Sequence, residues 1–179
     1  MRLVAAVVMR LALLVALTAC SAEPGTPTPV AQMPDDFAGT IVFRKGSVAP
    51  PYHYSWEVRF DEDSAELVWQ PGYDESVPAF RESVPLDREQ RELTWERLRA
   101  AGQFEPLPEA ADEMVGGPTA EVEVVAGGRT YAPGTVGTIP ETADLVDAVE
   151  EAGKGLFPVE VWESVAAQQQ AWSDQQATR

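Results

Sequence analysis

The chain has one cysteine and one histidine among its 179 residues. Each scarcity removes a class of chemistry. A single cysteine closes no internal disulfide, so the fold has to be held by its own core. Structural zinc sites draw on several Cys and His ligands, and that supply is missing. A Ser–His–acid or Cys–His catalytic set needs a histidine beside its nucleophile. The one available, His53, lies in "PYHYSWEVRF", where it reads as a solvent-facing strand residue. Gly-x-Ser-x-Gly is absent, so no nucleophile elbow is visible. The paired glycines of "VGGPTA" and "AGGRTY" lack the Gly-x-x-x-x-Gly-Lys frame and read as turns, and Lys154 follows a helix. Asp61, Asp63 and Glu66 lack the turn glycine and distant glutamate of a calcium loop, so an acidic turn is expected there. No catalytic residue, metal or cofactor is assigned.

Basic residues are scarce as well. Lys and Arg number 13 against 29 Asp and Glu, a net charge of −16. Nucleic-acid binding requires a basic footprint, so no nucleic-acid partner is expected. An acidic domain is also repelled by anionic membrane surfaces, and any membrane attachment has to come from the first residues. The 29 acids offer many carboxylate pairs, so pairing alone singles out none for glycoside chemistry. There is no internal repeat and no long low-complexity tract.

What is present starts with "MRLVAAVVMRLALLVALTACSAEP". Two arginines precede and interrupt an apolar run that ends at Ala19, the n-region and h-region pattern of a secretory signal. From Leu3 to Ala19 the stretch is 17 residues and broken by Arg10, short for a membrane span of about 20 apolar residues. Leu17-Thr18-Ala19-Cys20 resembles the lipobox of bacterial lipoproteins at every position. The resemblance implies cleavage before Cys20 and a diacylglyceryl thioether on its sulfur. The protein is then expected at the cell membrane, lipid-anchored and facing the extracytoplasmic side, with a second acyl chain making the anchorage stable. Removal of residues 1–19 leaves 29 acidic against 11 basic side chains. Residues 20–36 carry Pro24, Pro27, Pro29 and Pro34 and read as a disordered, partly polyproline-II tether. At about 3.1 Å per residue it reaches on the order of 45 Å when extended.

Residues 37–167 read as one α+β domain, with 168–179 as a polar C-terminal tail. Two hairpins are expected. The first returns through "DEDS", and its strand 52–60 alternates, with Tyr52, Tyr54, Trp56, Val58 and Phe60 on one face. Trp69 and Leu67 lie on the returning strand, and a short strand follows from Phe80 to Leu86. The second hairpin pairs "TAEVEVV" with "RTYA" through "AGGR". Asp87 and Gln90 form a capping box for a helix with Leu93, Trp95, Leu98 and Ala101 on its apolar side and Gly102 as its stop. "TIPE" at 138–141 caps a second helix that ends at Gly153, with Leu145, Ala148, Val149 and Ala152 on one face. A third runs from Pro158 to Trp172 and buries Val161, Trp162 and Val165. The sum is an antiparallel sheet with two to three helices on one face.

The aromatic hairpin is the most unusual feature. Tyr52, Tyr54, Trp56 and Trp69 are candidate partner-binding residues, able to stack sugar rings or grip an extended peptide. The other reading of the same face is core beneath the helix carrying Trp95. "VPLDREQRELTWERLRAAGQFEPLP", "TAEVEVVAGGRTY" and "PETADLVDAVEEA" together resemble the emfourin-type metallopeptidase inhibitors over residues 84–152. That resemblance implies a small inhibitor fold and a peptidase partner. The longer first hairpin, the lipobox and the third helix depart from it, and no inhibitory residue carries over. The expectation is a non-enzymatic binding module for an envelope protein or peptide. The alternative is a cell-wall glycan module using the aromatic hairpin.

Overall fold

The computed structural model describes residues 32–74, 76–106, 116–137 and 142–178. The leader, Cys20, most of the tether and the "TIPE" capping box lie outside them. Six strands form one antiparallel sheet: β1 (Ala38–Arg44), β2 (Tyr54–Phe60), β3 (Ser64–Pro71), β4 (Phe80–Pro85), β5 (Thr119–Ala126) and β6 (Arg129–Gly137). The order across the sheet is β4-β3-β2-β1-β5-β6. The first strand joins the two hairpins, with Ile41 opposite both Val58 and Val122. The fold is α+β, and its helices are α1 (Arg88–Ala100), α2 (Ala143–Lys154) and α3 (Val159–Ala177).

Alternation sorts the sheet into two unlike faces. Ile41, Phe43, Trp56, Val58, Phe60, Leu67, Trp69, Val122 and Val124 are buried in one continuous core. The opposite face is open and charged. Arg44 pairs with Glu121, Arg59 with Glu57, and Arg81 with Glu66, all partly exposed. Such pairs contribute little each, about 0–1 kcal/mol, but they keep that face hydrated. Both edges discourage further strand pairing. In β6, Pro133 lies where the register with β5 slips, and in β4 Glu82 stands opposite Leu67 on the apolar side of the sheet.

Local chemistry closes the hairpins. The Asp61 carboxylate accepts from the Asp63 and Ser64 amides at 2.9 and 2.8 Å, which bends the β2–β3 turn. Those hydrogen bonds hold its pKa below the usual carboxylate value. Between β5 and β6, Gly127 and Gly128 both have positive φ, 61° and 71°, as a two-residue turn matching the sheet's twist requires. Asp36 accepts from both of their amides, at 2.7 and 2.6 Å, and pins this turn to the segment entering β1.

The helices sit on the apolar face. The capping box of α1 is complete: Asp87 Oδ1 accepts from Gln90 N, and Gln90 Oε1 accepts from Asp87 N. Gly102, φ +67°, ends the helix in the left-handed region. Its buried side differs from the expected one. Leu93 is exposed, while Arg91, Thr94, Trp95 and Leu98 are buried. Arg91 is tolerated because Nη2 donates to the carbonyls of Asp35 and Phe37, each at 2.9 Å. The second helix does not stop at Gly153. It continues to Lys154, is capped by Gly155, and buries Val146, Val149, Ala152 and Gly153. Gly153 is needed for contact: a Cβ there would lie 2.6 Å from the Trp56 ring. The third helix runs on through the residues expected to be a polar tail, ending at Ala177. Only Val165 along it is buried, while Val161 and Trp162, expected to be buried as well, are partly exposed because this helix touches the sheet at few points.

Candidate functional site

The sheet's apolar face is closed tightly under α2 but loosely under α3. Between α3 and the β2–β3 end runs a groove of about 570 Å³. Its floor is Tyr54, Trp56 and Trp69, its ends are Tyr52 and Lys154, and its helical wall presents Trp162, Val165, Gln169, Ser173 and Asp174. Residues 162, 165, 169 and 173 follow the three- and four-residue steps of one helix face, so α3 sets one stripe of mixed polarity against the aromatics.

All four aromatic candidates read from the sequence line this groove, but in different roles. Trp56 and Trp69 are core, each 2% exposed. The Trp56 ring stacks on Phe43 at 5.4 Å and 15°, meets Trp162 edge-on at 5.6 Å, and lies under Gly153. Neither of its faces is free for a sugar ring. Tyr54 is half-buried, and burial, followed by the charge of Glu150, raises its phenol pKa. Tyr52 does not continue the strand's alternation. It belongs to a single 3₁₀ turn, Pro50–Tyr52, and is 64% exposed at the groove's end.

His53 is not solvent-facing as the alternation suggests. The 3₁₀ turn rotates it inward, leaving it 8% exposed. Its ring stacks on Tyr73 at 3.7 Å, and Nδ1 lies 2.9 Å from the Gly46 carbonyl oxygen. The Tyr73 hydroxyl donates to the carbonyl of Val48 at 2.8 Å. This cluster fixes the 46–52 loop, and through it the position of Tyr52.

The sequence reading missed the helical half of the site. Lys154, Gln169, Gln170, Ser173 and Asp174 sit on its walls. Lys154 ends α2; for the others, spacing on α3 is the signal, hidden because the Gln-rich stretch reads as solvated tail. Their electrostatics are already balanced. Burial opposes charge on Lys154, yet the Glu150 carboxylate at 2.6 Å outweighs it and raises the ammonium pKa. Gln170 Nε2 donates to Asp174 Oδ1 at 2.8 Å. On the groove floor the indole Nε1–H groups of Trp56 and Trp69 are buried without an acceptor among the described residues.

The third helix is held by few direct bonds. Trp162 Nε1 donates to the Lys154 carbonyl at 2.9 Å, and Gln169 Nε2 donates to the Pro51 carbonyl at 2.8 Å. No group of three His, Cys, Asp or Glu side chains among the described residues is placed to hold a metal ion. No described helix is long and apolar enough to cross a membrane. No family model matches the chain, and no curated protein matches it.

Proposed function

We propose that this protein is a non-enzymatic binding module, held by lipid on Cys20 at the extracytoplasmic side of the membrane, that takes a protein or peptide partner in the groove beside α3. The observation that carries the reading is the groove: an aromatic floor facing a helical wall of amide, hydroxyl and carboxylate groups. Mixed walls of this kind bury an apolar side chain while ordering the polar groups around it. The emfourin resemblance points to a peptidase as the class of partner. The glycan alternative is weaker, because sugar stacking wants an open aromatic face and the faces of Trp56 are covered.

Residues 32–36, expected to be tether, already pack on the domain: Met33 is buried in the core, and the Asp35 carbonyl accepts from Arg91 of α1. Gln32 and Met33 line a cleft with Trp95 and Arg99 of α1. The described chain therefore enters the domain beside α1, whereas the groove is walled by α3.

The test is a photo-crosslinking amino acid placed in cells at Gln170, on the groove wall, and at Thr40, on the open charged face. Capture of one discrete protein from Gln170 and none from Thr40 is expected. Equal capture from both positions defeats the groove assignment. Fractionation of Cys20→Ser checks the anchor: loss of lipid labelling and release from the membrane are expected, and a mature-sized variant that still sediments with membranes overturns it.

A further inference from the structure

Three stretches of the chain carry no Asp, Glu, Lys or Arg: residues 46–56, 76–80 and 164–173. The fold brings them to one end of the molecule. Gln169 of α3 donates to the Pro51 carbonyl at 2.8 Å. The Tyr73 hydroxyl, just ahead of the second stretch, donates to the Val48 carbonyl at 2.8 Å. Trp172 packs on Gly72, where a Cβ would lie 3.1 Å from its ring. Elsewhere the exposed surface is charged: α1 shows Arg88, Glu89 and Glu96 to solvent, and α2 shows Asp144, Asp147 and Glu151. The charges bordering the neutral end already hold partners within the chain. Lys154 pairs with Glu150, Asp174 accepts from Gln170, and Asp74 accepts from the Ser76 amide.

This end also gathers exposed apolar surface. Of the six large apolar side chains exposed among the described residues, Val48, Tyr52 and Tyr73 lie here. Convex and concave surfaces sit side by side. The Pro50–Tyr52 turn gives Tyr52 to the groove and Pro50 to a second cleft of about 690 Å³, walled by Tyr73 and Trp172. Contiguous exposed apolar surface of this kind marks an interaction site.

Charge selects the partner. Around a two-fold axis each side chain meets its own image, so like charges oppose and a charged surface cannot pair with itself. A different protein could answer the carboxylates of this chain with basic groups and would dock on a charged face. A second copy cannot, because two chains of net charge −16 repel over their acidic surfaces. The neutral end is where they can meet. Its shape suits an isologous contact, since a projecting Tyr52 lies beside a groove able to receive its image. In that groove the ring of Tyr52 from the other copy would meet Tyr54 and Trp162, both partly exposed, beside the polar groups of Gln170 and Ser173.

Resting on the groove being a binding site, we propose that its occupant is a second copy of this chain, paired two-fold through the uncharged end, with the Tyr52 ring of each copy seated in the groove of the other.

The test uses full-length chains bearing two different epitope tags, co-expressed in cells, each with the photo-crosslinking amino acid at Gln170. A product of twice the chain mass carrying both tags is expected. Tyr52→Asp in both chains is expected to lower its yield about tenfold, because a carboxylate then enters an aromatic groove and stands near its own image. Tyr52→Phe should keep most of the yield. Tyr52 is largely exposed, so the fold survives either change, and circular dichroism checks that. Leu93→Asp makes the same change at an exposed apolar residue of α1, outside the patch, and is expected to leave the yield unaltered. An undiminished yield with Tyr52→Asp, or an equal loss with Leu93→Asp, overturns the two-fold pairing. A Gln170 product that contains a different protein overturns the second copy and leaves the groove a binding site. Lipid adducts alone, or no adduct at Gln170, overturn both.

Discussion

Gly153 is a glycine because Trp56 leaves no room for anything larger. In an isolated helix, Gly→Ala is worth close to 1 kcal/mol of stabilisation. Here the new methyl would meet ring atoms of Trp56 at 2.6 and 2.9 Å, and that ring cannot retreat, being stacked on Phe43 and braced by Trp162. Overpacking of this kind costs roughly 1–3 kcal/mol, enough to reverse the helix gain. Gly153→Ala is therefore expected to lower stability, read as a lower urea midpoint with an unchanged slope. A raised midpoint would mean that α2 can lift from the sheet freely. His53 makes the complementary point about reading residues singly. Its position in an alternating string suggested solvent, but the turn before β2 breaks the alternation at Tyr52 and turns His53 inward. Period-two logic holds only where the backbone is extended.

At the scale of elements, caps and alternation were legible and the choice of buried side was not. The α1 start could be read because a capping box is local chemistry, made by Asp87 and Gln90 alone. Asp87→Ala is expected to cost about 1 kcal/mol, from loss of the acceptor for Gln90 N. Thermal or chemical unfolding of the variant checks it, and Asp87→Ser should recover most of the loss. The strands could be read because β2 and β3 are buried on one side and open on the other, so their sequences alternate. The buried side of α1 depends instead on distant groups: Arg91 is inside because the Asp35 and Phe37 carbonyls wait for it. No pattern within the helix reveals that. The same applies to α3, whose face touches the sheet at few points. Its Gln, Ser and Asp side chains carry no amphipathic signal, yet they form a wall of the groove. Half of the candidate site, the floor from Tyr54, Trp56 and Trp69, was visible in the hairpin. The other half exists only once α3 is folded back over it.

Acidity decides how the whole molecule responds to pH. Two opposing effects follow from 29 carboxylates on so small a chain. Like-charge repulsion strains the folded state and is relieved on acidification. Against it stand carboxylates that the fold uses. The Gly128 and Gly127 amides hold Asp36 below its ordinary pKa, the Asp63 and Ser64 amides do so for Asp61, and the Thr135 hydroxyl, aided by Arg44, does so for Glu121. A carboxylate with a depressed folded pKa stabilises above its unfolded value, about 4, and that contribution disappears as pH falls through the folded value. Salt separates the two effects. At 1 M the screening length is about 3 Å, so long-range repulsion is removed while contacts at hydrogen-bond distance persist. In 1 M NaCl the unfolding midpoint is therefore expected to hold steady from pH 7 to 5 and to fall from pH 4 to 2. Asp36→Asn combined with Asp61→Asn should flatten that fall, because an amide oxygen still accepts from the turn amides but does not titrate. The double variant starts less stable at pH 7 and converges on the parent at pH 2. Parallel curves for the two proteins would show that acid sensitivity resides elsewhere, and that the turns joining β2 to β3 and β5 to β6 are not what low pH releases first.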